Sequence, residues 1–328
     1  MTGRTSSYLR CGIVLAGGEG QRLKPFVHEL RRNALPKQYV NIIGTRSMIE
    51  HAFARTEKVI PRERIFTVVN RGHLTHPEVN QQLSTRSKGT VVIQPENRDT
   101  YAGVLLPLMH IHKRYPGANV VVFPSDHFIV EEDLFVSYVD LAFLALEQNP
   151  SSIVLLGVEP DGPEPEYGYI LPDGELISSV PLYMRKIRLF IEKPDPTLAQ
   201  GLVAQGGLWN TMVMIFNSDT MLELIHRLTP KMHAAFQEIL TAIGTPRERQ
   251  VVDKVYRGTK NMNFSEEVLQ PLALVRPSCL SVLPVAGVFW SDWGSKSRIV
   301  NSLKKTGHLN RLQGIPESLL FQIWSEAS

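Results

Sequence analysis

Cysteine is scarce: Cys11 and Cys279 are the two among 328 residues. Two thiols so far apart exclude a disulfide framework and a thiolate zinc site, and they suit a reducing cytoplasm. Charge of one sign is lacking too, with 35 Lys and Arg against 32 Asp and Glu and a net of +3. That balance does not argue for nucleic acid or an anionic membrane surface as the main partner. No apolar run approaches the ~18–20 residues that span a bilayer. Met1 to Arg10 is polar, so no signal peptide is expected there. Internal repeats and long low-complexity linkers are also missing. What is present is globular composition, 43% hydrophobic and 20% charged, enough for one large domain or two ordinary ones. The expectation is a soluble, cytoplasmic α/β protein.

Short Val- and Ile-rich runs read as strands at Gly12–Ala16, Ile65–Val69, Val91–Ile93, Val120–Phe123 and Ile153–Gly157. Amphipathic stretches at Ser47–Lys58, His76–Arg86, Asp99–Tyr115 and Glu132–Gln148 read as helices between them. Continuous apolar strands alternating with helices predict a mostly parallel sheet covered on both faces, a doubly wound α/β fold. From about Glu159 the texture changes. A Pro-rich loop at Pro160–Pro165 leads to strands at Tyr167–Leu171 and Leu182–Ile191, a helix at Asp195–Ala204 and a strand at Trp209–Phe216. Mostly helical sequence follows to about Val255. The reading is one domain over 1–328, with a first half at about 11–158, an inserted substrate-facing region in the second half at about 159–295 and a tail at 296–328.

The most informative stretch is Leu15-Ala16-Gly17-Gly18-Glu19-Gly20-Gln21-Arg22-Leu23, directly after the first strand. Glycines there let backbone N–H groups approach phosphate oxygens, at the strand end where α/β folds bind ligands. Leu23 stands where a dinucleotide fingerprint needs its third Gly or Ala, and the Walker Gly-Lys-Ser/Thr is missing. Hydride transfer and P-loop chemistry both lose ground. Taken alone, the loop also reads as a tight turn without a ligand.

The loop has company. Pro36-Lys37-Gln38 follows it, and Gly17-Gly18-x-Gly20-x-Arg22-Leu23-x-Pro25 with Pro36-Lys37 resembles the signature of sugar-1-phosphate nucleotidyltransferases. The Pro-Lys-Gln variant is similar to the mannose-1-phosphate guanylyltransferases in particular. A triphosphate needs backbone donors and fixed cations, which Arg22 and Lys37 supply as a fork and a point charge. The same resemblance makes Leu15, Ala16, Gly17, Gly18 and Gly20 nucleotide-binding positions. It extends to Gln94-Pro95-Glu96-Asn97-Arg98-Asp99-Thr100, where Gln94, Arg98 and Thr100 would meet the nucleotide. Asp99 replaces the family's Asn and also reads as an N-cap for the next helix.

Phe123-Pro124-Ser125-Asp126-His127 ends a buried strand with an acid pointing into the same crevice as the glycine loop. One Asp among phosphates is a usual way to hold Mg²⁺, and the segment resembles the family's Pro-x-Asp-His, whose Asp binds the metal. His127 reads better as a tether for the loop than as a catalyst. Trp290-Ser291-Asp292-Trp293-Gly294-Ser295 resembles the family's late motif, in which the Asp completes the metal site. The plainer reading makes Asp292 a helix cap and the tryptophans core. Phe190-Ile191-Glu192-Lys193-Pro194 is similar to the family's Phe-Val-Glu-Lys-Pro, with Glu on sugar hydroxyls and Lys on the sugar phosphate. Gly168 and Asn210 belong to partly retained sugar-binding motifs. Met212 departs from the Gly that usually follows Trp-Asn-Ser/Thr.

The resemblance therefore implies transfer of a nucleoside monophosphate from an NTP to a sugar 1-phosphate, with Mg²⁺ held by Asp126 and Asp292. GTP and mannose 1-phosphate are the expected pair. Arg22, Lys37, Asp126 and Lys193 are the expected catalytic residues. Another pair such as glucose 1-phosphate, a non-catalytic nucleotide-sugar-binding protein and a homodimeric state all stay open on the sequence. The tail Lys296–Ser328 resembles neither the β-helix ends of some relatives nor the isomerase domain fused to others.

Overall fold

A computed structural model describes residues 9–32, 34–176 and 184–312. Strand β1 (Arg10–Ala16) leads into α1 (Lys24–Arg31) and α2 (Met48–Glu57), then β2 (Ile65–Asn70), α3 (Pro77–Leu83) and β3 (Val91–Gln94). Next come α4 (Asp99–Arg114), β4 (Asn119–Pro124), β5 (Phe128–Ile129), α5 (Glu132–Gln148) and β6 (Ile153–Val158). The second half carries β7 (Gly168–Leu176), β8 (Arg185–Glu192), α6 (Pro196–Ala204), β9 (Leu208–Asn217), α7 (Ser218–Leu228), α8 (Pro230–Ala242) and α9 (Glu248–Gly258). It closes with α10 (Gln270–Leu274), β10 (Leu280–Val285), β11 (Trp290–Ser291) and α11 (Lys296–Lys305). Leu182 and Tyr183 of the expected strand lie outside the described residues, as does the tail beyond Leu312.

Nine strands form one sheet in the order β3-β2-β1-β4-β9-β6-β10-β8-β7. The pairs among β3, β2, β1 and β4 are parallel, as is β6 with β10. Strand β9 runs antiparallel between β4 and β6, in the middle of the sheet, so the sheet is mixed. Alternation in β1 separates the two faces: Val14 and Ala16 join a core with α1, α2 and α5, while Cys11 and Ile13 join one with α4, α7 and α8. Burial on both faces is why these strands read as unbroken apolar runs. Helix α2 starts on a capping box, the Ser47 hydroxyl accepting from the Glu50 N–H and the Glu50 carboxylate from the Ser47 N–H.

Periodicity missed α1, β5, α10, β10 and β11. The two-residue strands are too short to show a period. Strand β10 carries Pro284, a residue that argues against a strand, yet β10 lies between β6 and β8.

Candidate active site

The glycine loop leaves β1 with its shape fixed from outside. A Cβ on Gly17 would sit 2.3 Å from Gln94 Nε2, and that amide donates to the Gly17 carbonyl at 3.3 Å. Gly20 is left-handed at φ 57°, where glycine pays no steric penalty. Buried Gln38 donates from Nε2 to the carbonyls of Ala16 at 2.8 Å and Gly18 at 2.9 Å. Its amide therefore pins the turn that carries the loop's donors. The loop opens on a cavity of about 430 Å³ whose walls include Leu15, Gly18, Arg22, Lys37, Gln94 and Asp126.

Lys37 ties three distant motifs together. Its Nζ is 2.7 Å from Asp126 Oδ2 and donates to the carbonyls of Asp292 at 3.4 Å and Trp293 at 3.3 Å. The antiparallel pair β5–β11 sets Ser291 opposite Phe128, which brings the two aspartate motifs side by side. His127 Nδ1 accepts from the Trp290 indole N–H at 3.2 Å. Burial pushes the His127 pKa down to about 4, so the ring is a neutral tether between these loops.

Asp292 is held on every side. Arg298 Nη1 contacts both carboxylate oxygens, at 3.0 and 2.9 Å. The Tyr167 hydroxyl donates to Oδ1 at 3.0 Å and the Gly294 N–H at 2.9 Å. Burial would raise its pKa, but Arg298 and then Lys37 outweigh it and hold the carboxyl below the usual range. Arg298 also pairs with Glu164 and Glu166 and lies 4.6 Å over the Tyr167 ring. Glu166 in turn meets Arg22 Nη1 at 2.5 Å. The helix-cap reading of Asp292 fails: Ser295 caps α11, accepting from the Arg298 N–H. Trp290 and Trp293 are buried, and Trp293 stacks on Phe128 at 4.4 Å.

The second cluster sits on β7, β8 and β9. Gly168 pairs with Glu192 across the sheet, and a Cβ there would lie 2.7 Å from Glu192 Oε2 and 3.4 Å from Asn210 Cβ. Lys193 Nζ is 3.5 Å from Glu192 Oε1. Burial raises the Glu192 pKa, with Lys193 opposing. Asn210 Oδ1 accepts from the Met212 N–H at 3.1 Å. Thr211 is buried and donates to the Leu156 carbonyl at 2.7 Å, a structural bond. The structure thus brings Gly168, Glu192, Lys193 and Asn210 together. None of the four is among the residues lining the main cavity, which this region reaches through Met212.

At the start of α4, Asn97, Asp99 and Thr100 line the cavity but Arg98 does not; it pairs with Glu96 at 2.7 Å. The Thr100 hydroxyl accepts from the Phe264 N–H at 2.9 Å. Asp99 is not the N-cap that its position suggested. Arg98 holds that place, while Asp99 is left-handed at φ 64° and accepts from the Thr100 N–H at 2.6 Å. Lys193, Met212 and Trp293 are left-handed as well. Four such non-glycine residues in the quoted motifs mark strain gathered where a ligand would bind. The φ of 56° at Met212 also accounts for the family's Gly there, since glycine adopts that backbone at least cost.

A model of the nucleotidyl transferase family matches residues 11–307. The chain belongs to that family. The chain is 27% identical over 305 residues to the xanthan biosynthesis protein XanB of Xanthomonas campestris pv. campestris, covering 92% of this chain and 61% of that protein. It is 24% identical over 309 residues to a mannose-1-phosphate guanylyltransferase of Escherichia coli, covering 92% and 63%. The chain thus spans about three-fifths of the length of these relatives. Among solved structures, a mannose-1-phosphate geranyltransferase from Thermus thermophilus shares the fold at a TM-score of 0.75 and 24% identity, covering 90% of this chain and 79% of that one. Gln38, Tyr167, Glu166 and Arg298 are the site residues whose contacts sequence reasoning missed. The first three lay inside or beside quoted motifs. Arg298 carried no signal, because its partners lie on other elements.

Proposed function

We propose that the protein transfers a nucleoside monophosphate from an NTP to a sugar 1-phosphate and releases pyrophosphate. The observation that carries this reading is Lys37, held between the Asp126 carboxylate and two backbone carbonyls at the mouth of a glycine-lined cavity. Arg22, Lys37 and the Gly17–Gly20 amides would hold the triphosphate and neutralise charge on the leaving pyrophosphate. Lys193 would fix the attacking phosphate, while Glu192, Gly168 and Asn210 orient the sugar. Little covalent chemistry falls to the protein, and a phosphate oxygen, ionised at neutral pH, needs no general base. On this reading residues 11–158 serve the nucleotide and 159–295 the sugar phosphate, within one doubly wound domain of 1–328.

The donor chemistry fits a hard divalent cation such as Mg²⁺. Among the described residues no group of three or more His, Cys, Asp and Glu could hold a metal, and Mg²⁺ takes one or two carboxylates with substrate phosphates. Asp126 borders the cavity; Asp292 would have to exchange Arg298 for the ion. When bound, the ion supplies Lewis acidity at the phosphates. Pro36-Lys37-Gln38 and the names of the relatives support GTP and mannose 1-phosphate as the pair. The Arg298 contact on Asp292 is what favours a second reading, a nucleotide-sugar binder without turnover.

Pyrophosphate release across a matrix of NTPs and sugar 1-phosphates, with Mg²⁺, tests both. Selective release with GTP and mannose 1-phosphate is expected. Release with another pair overturns the substrates and keeps the reaction. Binding without release from any pair selects the second reading.

A further inference from the structure

The glycine loop carries an acid. Glu19 stands between Gly18 and Gly20, where a carboxylate facing a triphosphate would repel it. Gly17, Gly18, Gly20, Gln21 and Arg22 line the main cavity, and Glu19 is not among its lining residues. The Glu19 side chain turns instead to the wall behind the loop. There Oε1 accepts from Asn70 Nδ2 at 3.0 Å and lies 3.5 Å from His73 Nε2. We propose that Asn70 and His73 are positioning residues for the glycine loop, acting through the Glu19 carboxylate. What they do for a triphosphate rests on the transfer reading above.

The anchor is built at the end of β2. Asn70 closes that strand, and its Oδ1 accepts from the Gly72 N–H at 2.9 Å, which leaves the amide nitrogen for Glu19. In the sheet Asn70 pairs with Gln94, the residue that donates to the Gly17 carbonyl. Adjacent strand ends thus hold two points of one loop. The His73 side chain is 3% exposed, and its Nε2 is buried with no closed hydrogen bond. Tyr39, next to Gln38, places its hydroxyl 3.3 Å from His73 Nδ1 and sets its ring edge-on to the imidazole at 5.5 Å. Burial lowers the His73 pKa, with Glu19 opposing, so the ring is neutral at pH 7 and holds one proton. A bare nitrogen against a carboxylate would be repelled, which puts the proton on Nε2 and makes the Tyr39 hydroxyl the donor to Nδ1. The Nε2–H then stands at the outer limit of hydrogen-bond reach from Oε1, and a small inward shift of Glu19 closes the bond. An idle buried donor is costly, so the pull on Glu19 is inward. Lys24 Nζ, 3.9 Å from Oε2, is exposed and contributes little. The crest of the loop is held from behind, and its amides are aimed before phosphate arrives.

Hydrogen–deuterium exchange on the full chain, without any ligand, tests the tether independently of turnover. His73→Ala should speed exchange of the Gly18, Glu19 and Gly20 amides about tenfold, the worth of one hydrogen bond to a charged group. His73→Gln, whose amide nitrogen can stand in for Nε2, should restore the slow rate. Faster exchange throughout β1 and β2 without rescue by Gln would mean a merely structural histidine and overturns the proposal. Glu19→Ala, at a partly exposed position that tolerates truncation, should loosen the same amides, and it carries the test should His73→Ala not fold. The double variant should be no looser than either single one, and additive effects overturn the coupling through Glu19. The consequence is read by calorimetry with magnesium pyrophosphate, whose affinity should fall about tenfold in Glu19→Ala and in His73→Ala. The KM for the sugar 1-phosphate should stay where it is. A loosened loop with undiminished pyrophosphate affinity overturns the positioning role. A wild-type chain that binds no pyrophosphate counts against the transfer reading instead, and the exchange result still decides the tether.

Discussion

Lys37 and Lys193 each stand beside a carboxylate, yet the two pairs are built in opposite ways. In the first the cation is shielded, 11% exposed, and its Asp126 partner is more open at 29%, with 2.7 Å between them. In the second the carboxylate is shielded, Glu192 at 11%, and Lys193 is 54% exposed at 3.5 Å. A shielded cation braced by two carbonyls is fixed before any ligand arrives, which suits stabilising charge that develops during reaction. An exposed lysine on a flexible stem is a capture group, and its ion pair in water contributes little to stability. On the proposed reading, the Lys37 half of the site is preset and the Lys193 half would order around its ligand.

The largest effect that would break this contrast belongs to Lys37. Replacing it by Ala should lower kcat/KM for pyrophosphate release by about 10²–10³, roughly 3–4 kcal/mol. Asp126→Ala should cost as much, and full turnover in that variant removes Asp126 from the metal site. Lys193→Ala should act mainly on KM for the sugar 1-phosphate, raising it about ten- to a hundredfold, the loss of one charge-assisted contact. An equal fall in kcat from both lysines would erase the distinction between preset and capturing halves.

Arg298→Ala sharpens the comparison from the third pair. It strips Asp292, Glu164 and Glu166 of a shared cation, so a thermal melt should show a loss of roughly 1–3 kcal/mol. The freed Asp292 carboxylate should also bind Mn²⁺ more tightly, read by electron paramagnetic resonance of the free ion. Unchanged Mn²⁺ affinity would mean that Arg298 does not compete for that carboxylate.

The smallest effect concerns Glu192. Burial lifts its folded pKa above the ordinary value of 4.5, so the folded state binds a proton that the unfolded state has released. Stability should therefore fall as pH rises through the carboxylate range. Glu192→Gln should flatten that part of the stability profile while weakening sugar binding. A profile that keeps its slope would assign the titration to another group.

Much of this could be read from the chain. The glycine loop after β1, Lys37 and Asp126 are each local: a strand end, a turn and a buried apolar run, with parallel strands placing their carboxyl ends together. The sugar cluster was legible as motifs but not as a place, since Gly168, Glu192 and Asn210 meet only because β7 pairs with both β8 and β9. Arg98 was legible by its spacing, but not that its side chain turns to Glu96. Met212 was legible only as a departure from the family's Gly, and its left-handed backbone shows which constraint the position imposes.

The sequence by itself determined most of the strand and helix order of the first half, the glycine loop after β1 and the family, because those depend on periodicity and near-neighbour spacing. Only the tertiary structure decided that β9 lies antiparallel at the sheet's centre, that Gln38 pins the glycine turn and that Arg298 sits on Asp292. Each of those rests on contacts between elements separate in the chain, and no local pattern of residues encodes a distance in space.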